Sequence, residues 1–258
     1  MNTPPTLAAR LRFALKEGLR DARDLLFRRH PAWRYYPTPL GEYYAPVRAD
    51  DGGEAAELKR GRFAKPALLE AALAQLRRES VAIELGSRYG QYALAFARKV
   101  GDRGMVLAIE SSPGNFALLQ KNRGRNQVHN LRAFLRCAAA KSGLPAGAGV
   151  RTLALDDTGV ALPVSLVCIH LREGALAALQ GARKLLATHA PALLVRIDGP
   201  SAPPALLALL KKSGYAVQPG QADGYLLALP TRASRKASEP GAERSFKASP
   251  PVLYPADT

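Results

Sequence analysis

From residue 81 onward, apolar runs typical of strands alternate with runs typical of helices, and this alternation constrains the fold more than any other feature of the chain. The strand-like runs are VAIEL, MVLAIE, NLRAFLRCAA, VSLVCIHL, PALLVRID, YAVQPG and YLLALP. The helix-like runs include PALLEAALAQLRR, QYALAFARKV, PGNFALLQKNR, GALAALQGARKLLATH and PALLALLKKSG. Such alternation indicates an α/β fold. We expect a Rossmann-like, mostly parallel seven-stranded sheet with helices on both faces.

A glycine loop follows the first strand, in VAIELGSRYG, and ligands of open parallel sheets bind beyond the carboxyl ends of strands. Gly86 removes the Cβ that would block a ligand, and Gly90 lets the next helix pack close to the strand. Arg88 stands where the dinucleotide fingerprint GxGxxG has its middle glycine, which disfavours NAD and FAD. The pattern acid-x-Gly-x-x-x-Gly fits S-adenosylmethionine, which has no phosphates. Glu84 can offset the charge of the ammonium group of S-adenosylmethionine. The alternative is that Glu84 is a surface acid at a strand end.

The second strand ends at Glu110, which lies 24 residues beyond Gly86. An acid at about this spacing after a glycine loop is placed to accept hydrogen bonds from ribose hydroxyls. The alternative is a negative charge that stabilises the start of the helix PGNFALL. Together, the loop and the acid predict a site for S-adenosylmethionine.

Residues 81–230 resemble the FkbM family, a subgroup of the class I S-adenosylmethionine-dependent methyltransferases. The segment VAIELGSRYGQYALAFA is similar to the family's glycine loop, usually Asp-x-Gly-Ala-Asn-x-Gly, and AIESSPGNFALLQKNRGRNQVHNLRAFLRCAAA is similar to its next stretch. VRTLALDD resembles its Leu-Asp element. The resemblance implies the class I methyltransferase fold and the cofactor S-adenosyl-L-methionine. The cofactor-binding residues that it implies are Glu84, Gly86, Ser87, Gly90, Glu110, Ser111, Asn115 and Ala138.

The chain departs from the family at the residue that ends the fourth strand. Where the family has Asp-x-Glu-Gly-Ala-Glu, residues 170–175 read HLREGA. His170 is the candidate general base, because an imidazole titrates near neutral pH. Arg172 is the candidate for binding an anionic acceptor. The alternatives are a structural hydrogen bond for His170 and a solvated side chain for Arg172.

The family resemblance implies O-methylation of a sugar or secondary-metabolite hydroxyl. The aromatic residues between Trp33 and Tyr44 can form a stacking wall for such a substrate or pack against the sheet. A second hypothesis is a catalytically degenerate methyltransferase-fold protein that binds ligand without turnover, because residues 170–175 have changed. An oxidoreductase is disfavoured by Arg88 and by the lack of a hydride-transfer constellation.

A nucleic-acid methyltransferase is a further alternative, motivated by the net charge of +16. The Asn/Asp-Pro-Pro-aromatic signature of amino-directed base methylation is missing from the fourth strand, which ends in IHLREG. Arginine-rich composition also follows from GC-rich coding, so the charge alone does not choose a partner. The two cysteines and four histidines show no metal-ligand spacing, and no metal is predicted.

Both ends of the chain differ from the alternating region. Residues 1–65 are expected to form a basic amphipathic helix and an aromatic-rich irregular extension, and residues 231–258 a disordered tail. The helix can dock on its own domain or contact a membrane peripherally. Residues 66–230 form the expected methyltransferase domain. Without a long apolar run or a secretory signal, we expect a cytoplasmic protein.

Overall fold

The computed structural model describes residues 33–38, 41–47, 53–197, 202–218 and 224–231. They fall into two compact units, divided between Ala64 and Lys65. The expected N-terminal basic helix and C-terminal tail lie outside the described residues. Within these residues, none of the helices has the length and apolar content needed to cross a bilayer.

The first unit contains strand β1 (Trp33–Thr38), strand β2 (Gly41–Pro46) and helix α1 (Glu54–Lys59). The two strands form an antiparallel hairpin, so the expectation of irregular structure is wrong here. Aromatic side chains favour strands, and the rings of Trp33 and Tyr44 meet edge to face with their centres 5.0 Å apart. Prolines suggested irregular structure, but a two-stranded sheet has only edge strands, which tolerate proline.

The second unit is built on an eight-stranded sheet. Its strands are β3 (Val81–Leu85), β4 (Met105–Glu110), β5 (Leu131–Ala138), β6 (Arg151–Leu153), β7 (Val164–Ile169), β8 (Ala192–Arg196), β9 (Tyr215–Gln218) and β10 (Tyr225–Pro230). They lie in the order β6-β5-β4-β3-β7-β8-β10-β9. Among these described strands, β10 pairs antiparallel with β8 and with β9, and the other pairs are parallel. The predicted mostly parallel sheet is therefore confirmed, and β6 is an eighth, unpredicted strand at one side.

Six α-helices in the described part of the second unit flank this sheet. They are α2 (Pro66–Gln75), α3 (Gln91–Val100), α4 (Pro113–Arg125), α5 (Ala175–Gln180), α6 (Arg183–His189) and α7 (Pro204–Lys212). Apolar side chains of α5, α6 and α7 pack with Ile83 and its neighbours in the main hydrophobic core. Because strand side chains alternate between faces, Glu84 projects to the opposite face of the sheet.

Helices α5 and α6 replace the single helix that the sequence predicts over residues 174–189. Gly181 stands between them, where a Cβ would lie 2.2 Å from the carbonyl oxygen of Ala139. The carboxylate of Asp156 then accepts the backbone N–H groups of Lys184 and Leu185, which begin α6. The helix is therefore interrupted by close packing against a distant loop, and a remote side chain caps its second half.

The strand order reverses direction between β3 and β7. The chain passes from β3 to β4 and β5 on one side, and from β7 to β8 on the other. We call the end of the sheet that carries Leu85, Glu110, Ile169, Arg196 and Tyr225 the carboxyl edge. Ligands of such sheets bind outside this edge at the point of reversal.

Candidate functional site

The glycine loop, residues 86–90, turns through three left-handed residues. Gly86, Arg88 and Gly90 have φ angles of 76°, 48° and 88°. Glycine adopts such angles without strain, whereas a residue with a Cβ does not. Arg88 therefore occupies a conformation that favours glycine or asparagine.

The space around the two glycines differs from the sequence-based expectation. A Cβ on Gly86 would lie 3.1 Å from Cδ2 of Leu171, so this glycine faces a neighbouring loop. A Cβ on Gly90 would lie 2.4 Å from Cδ1 of Leu119, on α4. Gly90 therefore allows α4 to approach the loop closely, whereas the sequence predicted close packing of the helix after the loop against the strand.

Glu110 holds the glycine loop. Its side chain is buried, and its two oxygens accept the backbone N–H groups of Arg88 at 2.6 Å and of Ser112 at 2.8 Å. A carboxylate oxygen has a second lone pair, so each oxygen can still accept a hydrogen bond. The predicted role toward ribose hydroxyls stays a prediction, and anchoring of the loop is an additional role.

Asn122 of α4 holds the same loop from a different direction. Its side chain is fully buried and donates from Nδ2 to the carbonyl oxygen of Tyr89 at 2.7 Å. Sequence reasoning missed this residue, because nothing in the sequence distinguishes a helical asparagine with a distant backbone partner. The loop is thus fixed by β4 and by α4, which pre-organises it for a ligand.

Glu84 and Glu110 project to the same face of the sheet. Glu84 pairs with Ala108 across β3 and β4, and Glu110 lies two residues beyond Ala108. Residues two apart on a strand share a face. Both carboxylates therefore stand at neighbouring strand ends on one side of the sheet, as a single ligand lying across those ends requires.

The carboxylate of Glu84 is buried and only partly satisfied. The residue is 1% exposed, which excludes a surface acid. Its Oε1 lies 3.3 Å from Nε2 of His170. Its Oε2 has no hydrogen-bond partner among the described residues. A buried polar atom without a partner costs about 1–3 kcal/mol, so this oxygen points to a missing donor.

His170 is enclosed by polar and aromatic groups, and its side chain is 10% exposed. Nε2 also lies 3.3 Å from Sγ of Cys168, and Nδ1 lies 2.7 Å from the hydroxyl of Tyr225. The ring of Tyr92 packs against the imidazole, with 4.6 Å between ring centres. Both ring nitrogens therefore have partners.

The protonation of His170 follows from the same contacts. Burial lowers the pKa of the imidazole, but the interactions with Cys168, Tyr225 and Glu84 outweigh burial and raise that pKa well above its ordinary value. Burial raises the pKa of the Cys168 thiol. Because both ring nitrogens have partners, His170 orients Glu84 and Tyr225 in this structure, and its predicted role as general base stays a prediction.

The other predicted cofactor residues lie along the same edge of the sheet. Ser87 is buried and donates from Oγ to the backbone oxygen of Glu84. Ser111 is exposed, whereas Ser112 caps α4 by accepting the backbone N–H of Asn115 at 3.4 Å. Ala138 is buried at the end of β5. No ligand contact tests these roles, which stay predictions.

The candidate acceptor residues fall at the other half of the edge. Arg172 is exposed in the turn before α5. Its role in binding an anionic acceptor stays a prediction. Sequence reasoning missed Tyr225, Tyr92 and Lys65, whose Nζ lies 5.1 Å from the centre of the Tyr225 ring. Tyr225 and Tyr92 contact His170, and Lys65 contacts Tyr225. These residues are far apart in sequence, so no local pattern signals the contacts.

No family model matches the chain, and no curated protein matches its sequence. The resemblance to the FkbM family is therefore not confirmed at the family level. Solved structures do match. An S-adenosylmethionine-dependent O-methyltransferase from Thermotoga maritima is 13% identical over 81% of this chain and 81% of its own, with a TM-score of 0.50.

Two further matches have lower TM-scores. The methyltransferase FkbM from Methylobacillus flagellatus KT is 18% identical over 60% of this chain, with a TM-score of 0.47, and the match spans 45% of that protein. Aeropyrum pernix fibrillarin, solved with natively bound S-adenosyl-L-methionine, is 14% identical over 62% of this chain and 73% of its own, with a TM-score of 0.44. The sheet, its flanking helices and the Thermotoga match establish a Rossmann-like fold of the class I methyltransferase type.

Proposed function

We propose that this chain binds S-adenosylmethionine at the carboxyl edge and transfers its methyl group to an acceptor hydroxyl. The observation that carries the proposal is the buried, unpartnered Oε2 of Glu84 at the end of β3. An ammonium group supplies the donor that this oxygen lacks, and S-adenosylmethionine carries one. The fold of this chain and the cofactor of its structural neighbours support the same assignment.

The residues present fit this cofactor. Glu84 would accept from the ammonium group, and the second lone pairs of Glu110 would accept from ribose hydroxyls. The loop between them is already fixed by Glu110 and Asn122, so little ordering would accompany binding. When bound, the cofactor supplies an electrophilic methyl group on a sulfonium.

This chain would contribute mainly alignment. Methyl transfer is an in-line displacement: the bond from sulfur to the methyl carbon would break as the bond to the acceptor oxygen forms, and the hydroxyl proton would pass to a base or to water. Most of the acceleration comes from positioning the reactants. His170 fixes Glu84 through Oε1 and fixes Tyr225 through its hydroxyl. We propose the hydroxyl of a sugar or secondary metabolite as acceptor, which the FkbM resemblance supports.

A second candidate is a protein that binds the cofactor without turnover. It is favoured by His170, which stands where the resembled family has an acid and which occupies one oxygen of Glu84. Both candidates predict cofactor binding, and only the first predicts transfer.

Calorimetry with S-adenosylhomocysteine tests the binding that both candidates share. We expect Glu84→Gln to weaken binding by about 10–100-fold, the usual value of a hydrogen bond to a charged group. Glu173→Gln, at an exposed position in the same unit, should bind like wild type. Folded wild-type protein without binding near millimolar ligand, or an unchanged affinity in Glu84→Gln, contradicts the assignment.

Transfer of a labelled methyl group separates the two candidates. Protein that binds S-adenosylhomocysteine is incubated with labelled S-adenosylmethionine and a panel of hydroxylated sugars and phenols. Label on any acceptor, absent with Glu84→Gln, supports the transferase. Binding without transfer to any member of the panel favours the binding protein.

A further inference from the structure

Three residues neighbour Tyr225 at the carboxyl edge, and we call Lys65, His170, Arg196 and Tyr225 the basic–aromatic cluster. The Tyr225 hydroxyl lies 2.7 Å from Nδ1 of His170, and Nζ of Lys65 lies 5.1 Å from the centre of the Tyr225 ring. Arg196, the last residue of β8, pairs directly with Tyr225, the first residue of β10. Directly opposed residues of antiparallel strands share a face, so Arg196 and Tyr225 project to the same side.

Lys65 has a strained backbone. Its φ and ψ angles of 53° and 64° are left-handed, a conformation that is unfavourable for a residue with a Cβ. The conformation is held from outside, because the Tyr92 hydroxyl donates to the carbonyl oxygen of Lys65 at 3.4 Å. Backbone strain of this kind is enriched at functional sites.

Lys65 is also unfavourably placed for helix stability. It is the N-cap residue of α2, and its side chain makes no capping hydrogen bond. The positive end of the helix dipole disfavours a cation at this position. Helix stability therefore does not explain this lysine, whereas its place over the Tyr225 ring is a cation–π contact that fixes its direction.

The carboxyl edge is divided by charge. The half over β3 and β4 carries the carboxylates of Glu84 and Glu110, and the half over β7, β8 and β10 carries the basic–aromatic cluster. A cationic methyl donor is favoured over the acidic half. The acceptor must reach the donor from the other half, where complementary charge is negative.

We propose that the acceptor carries an oxyanion, a carboxylate or a phosphate, which Lys65 and Arg196 bind beside the buried ring of Tyr225. This inference rests on the proposed function and narrows its substrate class. Lysine and arginine are the side chains that bind such groups, arginine with two parallel hydrogen bonds. Arg196 and Lys65 are thus specificity-determining residues, and Tyr225 sets the distance between them.

Calorimetry with matched probes tests the proposal on protein that is already saturated with S-adenosylhomocysteine. The first series is D-glucuronate, D-glucose 6-phosphate and D-glucose, and the second is 3,4-dihydroxybenzoate and 3,4-dihydroxybenzamide. Within each series the probes share a ring and differ in the oxyanion. We expect a charged member of at least one series to bind about tenfold more tightly than its neutral partner. Whichever of glucuronate and glucose 6-phosphate binds more tightly shows whether the site prefers a carboxylate or a phosphate.

The Lys65→Gln/Arg196→Gln double variant should lose this preference. A matched control, Arg183→Gln/Lys184→Gln, removes the same charge from exposed positions on α6 and should keep it. If both double variants lose the preference for charged probes equally, the probes are attracted only by the overall positive charge of the protein. That result overturns the proposal. So does a charged probe that binds no better than its neutral partner, or no binding of any charged probe at about 10 mM. Binding of S-adenosylhomocysteine is measured before any acceptor probe is added. A failure of the proposed function would therefore be detected separately from a failure of the acceptor proposal.

Discussion

The backbone N–H of Arg88 donates to Oε2 of Glu110 at 2.6 Å, so the residue that ends β4 holds the tip of the glycine loop. The other oxygen of the same carboxylate accepts the backbone N–H of Ser112 at the start of α4. One side chain therefore joins a strand, a loop and a helix start. Its structural role and its proposed role toward a ligand can be separated by experiment.

Glu110→Ala should destabilise the second unit by about 1.5–3 kcal/mol, because two backbone donors lose a charged acceptor. Urea unfolding followed by circular dichroism measures the change. Glu173→Ala, at an exposed acid of the same unit, should unfold at the wild-type urea concentration. If Glu110→Ala unfolds at the same urea concentration as Glu173→Ala, the carboxylate of Glu110 does not anchor the loop.

Gly90→Ala should destabilise the protein more than Gly174→Ala does. The two glycines have nearly the same φ, 88° and 87°, so their conformational costs match. A Cβ on Gly90 would meet Leu119 at 2.4 Å, whereas a Cβ on Gly174 meets nothing within 4 Å. Overpacking of a buried site adds about 1–3 kcal/mol.

Thermal unfolding of both variants measures this difference, with Gly90→Ala/Leu119→Ala as a further test. The double variant makes room for the added methyl group, so the effect of Gly90→Ala should be smaller in the Leu119→Ala background. Equal melting temperatures for the two single variants would mean that α4 moves aside at little cost.

The stabilising contribution of His170 should decrease as pH rises. The pKa of His170 is raised in the folded protein by Cys168, Tyr225 and Glu84, against the lowering effect of burial. Its contribution is fully present below the unfolded value of about 6.5, and is lost as pH rises through the folded value. Between these values the folded state holds a proton that the unfolded state lacks.

The measurement compares urea unfolding of wild type and His170→Gln between about pH 6 and pH 8.5. The difference in unfolding free energy should decrease with pH by at most about 1.4 kcal/mol per unit. Cys168 titrates above this window, because burial raises the pKa of its thiol. A difference that grows with pH would show that His170 is neutral in the folded protein.

Asp156→Ala should destabilise the protein by about 1–2 kcal/mol, whereas Asp157→Ala should change stability little. Asp156 accepts two backbone N–H groups at the start of α6. Asp157 is exposed and accepts from the Ser142 hydroxyl. Chemical denaturation of both variants, together with S-adenosylhomocysteine affinity, checks the difference; affinity should not change in either. Loss of affinity in Asp156→Ala would give this acid a role at the ligand site.

The fold was predictable where burial produces a local pattern. Strands β3, β4 and β7 are apolar runs because helices cover both faces of the sheet, and glycines mark the turns between them. The break at Gly181 was not predictable, since the contact with Ala139 that requires it arises only in the folded protein. The hairpin of β1 and β2 was missed because its prolines resemble loop signals.

The candidate site was predictable only in its acidic half. Glu84 and Glu110 end apolar runs, so their position in sequence reveals their position in the sheet. The partners of His170 have no such signal. Tyr225 reaches it from the last strand and Tyr92 from α3, and pairing between distant segments leaves no periodicity in the sequence.

The line of contacts from Glu84 through His170 to Tyr225 joins the first strand of the sheet to the last. A ribosome releases these segments in order. A nascent chain that has emerged only as far as β8 therefore contains His170 but not Tyr225. Maturation of the site must therefore wait for the final strand to insert between β8 and β9. A prematurely terminated polypeptide would keep most of the sheet and still lack a finished site.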